Sequence, residues 1–241
     1  MQKFKTIKDR AIKRKGGEKA LKTLLKPVLS KKKLAQKGDD RFLAMMARAI
    51  NQAGFNWTVI ANKWPQFEEA FFKFDITTLG CMPPERWEAY LEDKRVVRHW
   101  PKIKAVMENT YFIQDEARQH GSFAKFIANW PENDQVGLMI HLKKHGSRLG
   151  GNSGQWFLRY VGKDCFVLSQ DVITAIQDAG VDVADNPTSK RDLTKIQNAF
   201  NDWHEETGLP YTHLSQIAGF SIGTNYENEK IQEEMAKFVN D

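Results

Sequence analysis

The chain holds only two cysteines in 241 residues, Cys81 and Cys165, and they form no close pair. That scarcity excludes a disulfide framework and a cysteine-rich zinc site, so no metal is expected, and it points to a reducing, cytoplasmic setting. No apolar run approaches the ~20 residues that a membrane span needs, so no membrane partner is expected. Met1 to Lys15 has no apolar stretch of the kind a secretory signal carries. There is no Walker-type phosphate loop and no serine-centred nucleophile elbow. The six histidines are scattered. Only His141 and His145 stand one helical turn apart, with no glutamate between them and no third ligand in view. No cofactor is expected. Strand-forming runs are as scarce: Cys165 to Leu168 is the one strong candidate, and four residues cannot build a sheet.

What is present is a helical pattern nearly throughout, at 41% apolar and 27% charged residues, a composition that can bury a core. Asp39 or Asp40 is placed to cap a helix with Phe42, Met46 and Ile50 at four-residue spacing. Pro65 suits the first turn of another, followed by Phe67, Ala70, Phe71 and Phe74. Pro84 opens a short helix with Trp87. Ile103 to Ile113 marks a longer one that ends before Gly121, and Ser122 caps the next. Asn133 or Asp134 caps Val136 to Leu142, and later helices carry Leu193 to Trp203 and Leu214 to Ile217. The spacing predicts an all-α fold of about ten helices with short loops.

The net charge of +6 is unevenly spread. Residues 1–38 hold 14 of the 36 Lys and Arg against two acids, Asp9 and Glu18, for +12; the rest of the chain carries −6. The division expected from charge and pattern is a basic helical arm over 1–38, a helical domain over 39–223 and a polar tail over 224–241. A basic arm is a nucleic-acid footprint by charge alone, and a solvated amphipathic helix would carry the same charges.

The most informative stretch is Leu142 to Asp171. A lysine-rich helix end (Lys143, Lys144) and Arg148 precede a tight turn at Gly150, Gly151, Asn152, Ser153 and Gly154, and a helix opens at Gln155. Gly and Asn tolerate tight-turn backbone angles. Amides opening the following helix can bind a phosphate, with the basic side chains beside them, and such a clamp holds a nucleic-acid backbone without reading its sequence. Asp171 follows at the start of the next helical pattern, where it is a candidate catalytic carboxylate or a plain N-cap. Upstream, Gln52-Ala53-Gly54-Phe55-Asn56-Trp57 spans a helix junction. An apolar side chain there can wedge into a base stack and an indole can stack on an extruded base; both aromatics can equally belong to a core.

In these segments, together with Phe71 to Asp75, Arg98-His99, Lys102-Ile103, Leu142-Lys143-Lys144, Gly146 and Gly151, the chain resembles the 3-methyladenine DNA glycosylase I family of the helix-hairpin-helix glycosylases, over roughly residues 40–160. The resemblance implies a monofunctional DNA glycosylase that flips an alkylated, 3-methyladenine-like base out of duplex DNA, as a monomer. It implies Trp57, with Trp156, Tyr160 and Gln52, as the base-binding residues. Phe55, Gly54, Lys143, Lys144, Arg148, Gly151, Asn152, Ser153 and Gly154 would meet the DNA, and Asp171 would be catalytic. Where the family carries a pocket glutamate this chain has Ala49, and two isolated cysteines cannot reproduce the family's zinc site. Where bifunctional relatives carry a lysine nucleophile it has Gln155-Trp156, which argues against Schiff-base chemistry. A damaged-DNA binder that has lost catalysis is the alternative implied by Ala49. A helical protein whose aromatics are all core is a third reading.

Overall fold

The computed structural model of the chain describes residues 1–236, and every regular element among them is helical. In chain order they are α1 (Phe4–Lys15), α2 (Glu18–Thr23), α3 (Lys31–Leu34), α4 (Asp39–Gln52), α5 (Trp57–Ala70), α6 (Ile76–Gly80) and α7 (Pro84–Glu88). Then come α8 (Trp100–His120), α9 (Phe123–Asn129), α10 (Gln135–His145), α11 (Asn152–Val161), α12 (Gln170–Asp178), α13 (Lys190–Thr207), α14 (Tyr211–Phe220) and α15 (Asn228–Ala236). The fold is all-α, as the periodicity predicts. The fifteen helices exceed the ten expected because one-turn pieces such as α3, α6 and α7 are too short to show a period. Of the polar tail, α15 lies inside the described residues, and 237–241 lie outside them.

The chain forms two compact units. The first gathers Met1–Val28, Pro131–Leu138 and 164 onward; the second holds Leu29–Trp130 and Met139–Lys163. Residues 1–38, read from charge as one arm, are thus shared between the units. In the first unit α1 buries Phe4, Ile7 and Ala11, and the Phe4 ring lies 5.4 Å from Trp203 of α13. Its cations serve the fold. Arg10 pairs with Asp178 at 2.7 Å, Arg14 donates to the carbonyls of Phe220 and Gly223, and Lys15 donates to the Tyr226 carbonyl at 2.8 Å.

Cys165 to Leu168 is no strand. It is a buried extended segment whose amides are met by side chains: Cys165 by Thr212 Oγ1 at 3.0 Å, Phe166 by Gln135 Oε1 at 2.8 Å and Val167 by Ser215 Oγ at 3.4 Å. The apolar run is there for burial, and no neighbouring strand is needed once those donors are satisfied.

In the second unit α4 is buried along nearly its whole length and packs against α8, α9 and α11. Asp39 does not cap its own helix, whose N-cap is Gly38. Its two carboxylate oxygens instead accept from the amides of Phe123 and Ala124 at 3.0 Å each, so it caps α9 beside Ser122. Pro65 is not in a first turn either: α5 starts eight residues earlier, at Trp57, because Asn56 caps it by accepting from Thr58 N. The proline therefore sits inside the helix. After α5, Phe72, Lys73 and Phe74 all hold positive φ, at 52°, 54° and 61°. Such a left-handed turn costs roughly 1–2 kcal/mol per residue. Buried Phe71 and Phe74 pin it from within, stacked among Trp64, Trp87 and Tyr90. Arg41 pins it from outside, forked onto Glu68 and donating to the Lys73 carbonyl.

Candidate nucleic-acid and base site

The hairpin joins α10 to α11. Gly146 N donates back to the Leu142 carbonyl at 2.9 Å. The Asn109 amide of α8 then clasps Ser147 from both sides, accepting from its N–H at 2.8 Å and donating to its carbonyl at 3.0 Å. Asn109 is fully buried; its role is not visible from sequence, where it is one polar residue in a long helix. Arg148 holds φ +57° and is exposed, as are Lys143 and Lys144. Gly151 adopts φ 58°, ψ −139°, a region open essentially to glycine alone. A Cβ on Gly154 would overlap the Leu149 carbonyl oxygen.

The second hairpin helix opens at Asn152, three residues before the Gln155 expected, so Asn152, Ser153 and Gly154 form its first turn. Its N-cap is Gly151, and no side chain caps the first-turn amides. A helix start of that kind presents positive dipole and donors to an anion. His145 stacks on His141 at 4.4 Å. It lines a cavity of about 490 Å³ with Glu116, whose carboxylate takes His141 Nε2 at 2.7 Å.

Before α5, the chain turns at Gly54 with φ +75°, and Phe55 is left 45% exposed. Behind the turn lies Lys102 of α8, buried at 5% exposure. Its ammonium donates to the carbonyls of Asn51 and Ala53, both at 2.9 Å, and stands 4.2 Å from the Phe55 ring centre. Burial first, and then the charge of Arg148, bring its pKa down to about 8. That coupling makes the hairpin arginine and the aromatic turn electrostatic neighbours.

Trp57, half-buried at the start of α5, meets the hairpin's second helix. Its ring stands edge-on to Trp156 at 5.1 Å and 87°, and Trp156 stacks on Tyr160 at 5.7 Å. The Tyr160 hydroxyl donates to Gln52 Oε1 at 2.9 Å, and burial raises its pKa. So Trp57, Trp156, Tyr160 and Gln52 form one cluster. Sequence reading missed two members, Arg48 and Arg159. The Arg159 guanidinium lies 5.6 Å from the Trp156 ring centre, the Arg48 guanidinium 5.1 Å from that of Trp64, and both charges act on Tyr160.

Asp171 belongs to the first unit, in the first turn of α12. The N-cap there is Ser169, which accepts from Val172 N at 3.4 Å, so the Asp171 carboxylate is not spent on capping. It lies half-buried against Gly223, where a Cβ would overlap it. The zinc of the resembled family has no donors here. Cys81 is exposed and Cys165 buried, in different units, and no group of three His, Cys, Asp or Glu among the described residues is arranged to hold a metal.

The fold, a helix-hairpin-helix set in an all-helical chain, is similar to that of a solved DNA glycosylase. The 8-oxoguanine DNA glycosylase of Methanocaldococcus jannaschii is similar over 89% of this chain and 90% of its own, with a TM-score of 0.54 at 17% identity. Residues 33–145 match the methyladenine glycosylase family model. The DNA-3-methyladenine glycosylase 1 of Escherichia coli (strain K12) is 24% identical over 87 residues, 36% of this chain and 46% of that protein, so the likeness spans about half the relative's length. The 3-methyladenine DNA glycosylase I of Staphylococcus aureus is 22% identical, with 57% of this chain and 79% of that one covered and a TM-score of 0.45. The likeness to the methyladenine glycosylase family is confined to residues 33–145.

Proposed function

We propose that the protein is a monofunctional DNA N-glycosylase that flips a damaged base from duplex DNA, an alkylated, 3-methyladenine-like base being the class its family suggests. The observation that carries this reading is the joining of hairpin and aromatic turn within one unit, through the Trp57–Trp156 pair and the Arg148–Lys102 coupling. The first-turn amides of α11, with Lys143, Lys144 and Arg148, hold the backbone phosphates. Phe55 enters the stack vacated by the extruded nucleotide, and the base rests among Trp57, Trp156 and Tyr160. Asp171 stabilises the oxocarbenium-like sugar or orients the water that attacks C1′. With Gln155-Trp156 in place of an amine, no Schiff base forms and the strand is left intact.

The test pairs base release from alkylated genomic DNA and single-adduct duplexes, with products identified by mass, with gel shifts on an abasic-site duplex. Release of an adducted base above the spontaneous rate supports the enzyme. Tight binding without release of any base supports the second reading, a non-catalytic damaged-DNA binder, which Ala49 favours.

A further inference from the structure

We infer that Arg14 and Gly223 are positioning residues for the Asp171 carboxylate, so that the basic N-terminal helix acts on base release through geometry. This rests on the glycosylase reading and deepens its account of Asp171. The carboxylate stands half-buried in the first turn of α12, where Ser169 does the capping. Among the described residues no hydrogen bond or ion pair holds the Asp171 side chain. Its direction is therefore set by what it packs against.

The packing partner is a piece of backbone. Gly223 holds φ +67°, and a Cβ built on it would stand 2.7 Å from Asp171 Cγ, with Oδ1 nearer still. The carboxylate lies there because residue 223 has no side chain. Gly219 of α14 lets that helix close on α12: a Cβ on it would come 3.4 Å from Val172 Cγ2, beside Asp171 in sequence. The turn that follows α14 is fastened from α1. Arg14 Nη2 donates to the Gly223 carbonyl at 2.6 Å and to the Ile222 carbonyl at 3.3 Å, and its Nε donates to the Phe220 carbonyl at 3.0 Å. Asn225 Nδ2 donates back to the Arg14 carbonyl at 3.0 Å, and Lys15 donates to Asn225 Oδ1 at 3.0 Å. One guanidinium thus holds the turn on which the carboxylate rests.

Position matters for the chemistry assigned to Asp171. A carboxylate that stabilises an oxocarbenium-like sugar, or aims water at C1′, loses up to about a hundredfold in rate for a displacement of about 1 Å. A methyl group added at residue 223 meets the far end of a flexible side chain that no bond holds, so the carboxylate is what moves. Removing the Arg14 guanidinium loosens the same turn and adds no atom to it. Both residues belong to the first unit, with Asp171, and neither belongs to the unit that carries the hairpin and the aromatic turn. Base release and duplex affinity therefore separate in these variants.

Three readouts on the full chain test this: single-turnover base release from an alkylated duplex, abasic-duplex affinity by fluorescence anisotropy, and the carbon-13 resonance of the Asp171 carboxyl, assigned by its loss in Asp171→Asn. Gly223→Ala and Arg14→Met are expected to slow release about tenfold or more, to leave affinity unchanged and to move the carboxyl resonance. In an Asp171→Asn background neither should slow release further, because residues that act as one unit are not additive. Arg14→Lys keeps a donor and should recover part of the rate. Lys13→Met removes an exposed neighbouring charge and should change none of the readouts. Normal release by a folded Gly223→Ala protein or, where that variant does not fold, by Arg14→Met, overturns the inference. So does a loss that multiplies with that of Asp171→Asn, or a carboxyl resonance that stays in place. A wild type that releases no base, with a resonance that moves in the variants, removes the glycosylase reading and leaves the carboxylate's positioning. Release by the wild type with rates and resonance unchanged in the variants removes the positioning and leaves the enzyme.

Discussion

Lys102 shows how one side chain can fix an exposed turn from behind. Its ammonium fills the carbonyl ends of α4, groups that a helix terminus otherwise leaves to water. Lys102→Met keeps the stem but leaves the Asn51 and Ala53 carbonyls unpaired, and should cost about 1–3 kcal/mol in denaturant unfolding. It should also weaken duplex binding through Phe55, whose ring the ammonium faces. The titration gives a second handle. The folded pKa is about 8 against an ordinary 10.5, so between those values the unfolded chain holds a proton that the folded chain has shed. Stability from this group then rises with pH across that window, and below it the cost of the buried charge is paid in full. The stability difference between wild type and Lys102→Met should move in favour of the wild type from pH 8 upward; a flat difference contradicts the burial of charge. At Asp171, Asp171→Asn should cut base release by about a hundredfold or more with little change in abasic-duplex affinity. Normal release by that variant would remove the carboxylate from the chemistry.

At the scale of elements, the hairpin depends on a close approach of backbone to backbone at Gly154. Gly154→Ala puts a methyl group into the Leu149 carbonyl and should destabilise the protein by about 1–3 kcal/mol. It should weaken binding to damaged and undamaged duplex alike, since backbone contacts carry no sequence information. Binding unchanged in a folded Gly154→Ala protein would argue against a phosphate grip at this turn. Asp39→Ala removes both acceptors from the start of α9, and the expected loss is about 1–2 kcal/mol in denaturant melts.

These cases also show what sequence can carry. The hairpin is legible because its demands are local: glycines where φ is positive or another backbone comes close, lysines one turn before. The Phe55–Trp57 junction is legible for the same reason. Asp39 is not, because its partners lie more than eighty residues away and its position fits an ordinary N-cap. Pro65 misleads because Asn56 starts the helix earlier than the proline alone suggests. The apolar run 165–168 imitates a strand because burial, rather than pairing, selects its residues. Arg48 and Arg159 escape notice because an arginine in an amphipathic helix ordinarily faces water, and only packing shows these two buried.

For the molecule as a whole, the charge asymmetry invites the idea of a detachable basic arm, and the first unit argues otherwise. Leu21 and Leu24 are buried along with Phe4, Ile7 and Ala11. The Gln2 carbonyl accepts from Trp203 Nε1 at 3.2 Å, and Phe4 N donates to Glu206 at 3.0 Å. Arg10, Arg14 and Lys15 hold α12 and the segment 220–226, so much of the positive charge is engaged with the fold. Truncation to Leu29 would uncover the α1 faces of α13 and α14 and leave those carbonyls open. The shortened protein should lose cooperative unfolding of the first unit, with Trp203 fluorescence shifted to the red and a lower calorimetric transition. If residues 1–28 were an accessory arm, the truncated protein would melt as the full chain does and lose only salt-dependent DNA affinity, by a slope of about 0.9 per phosphate contact removed. The exposed Lys31, Lys32 and Lys33 of α3 belong to the other unit and provide the control. Changing all three to glutamine should lower the salt slope while leaving the melting transition in place, separating charge that binds DNA from charge that builds the protein.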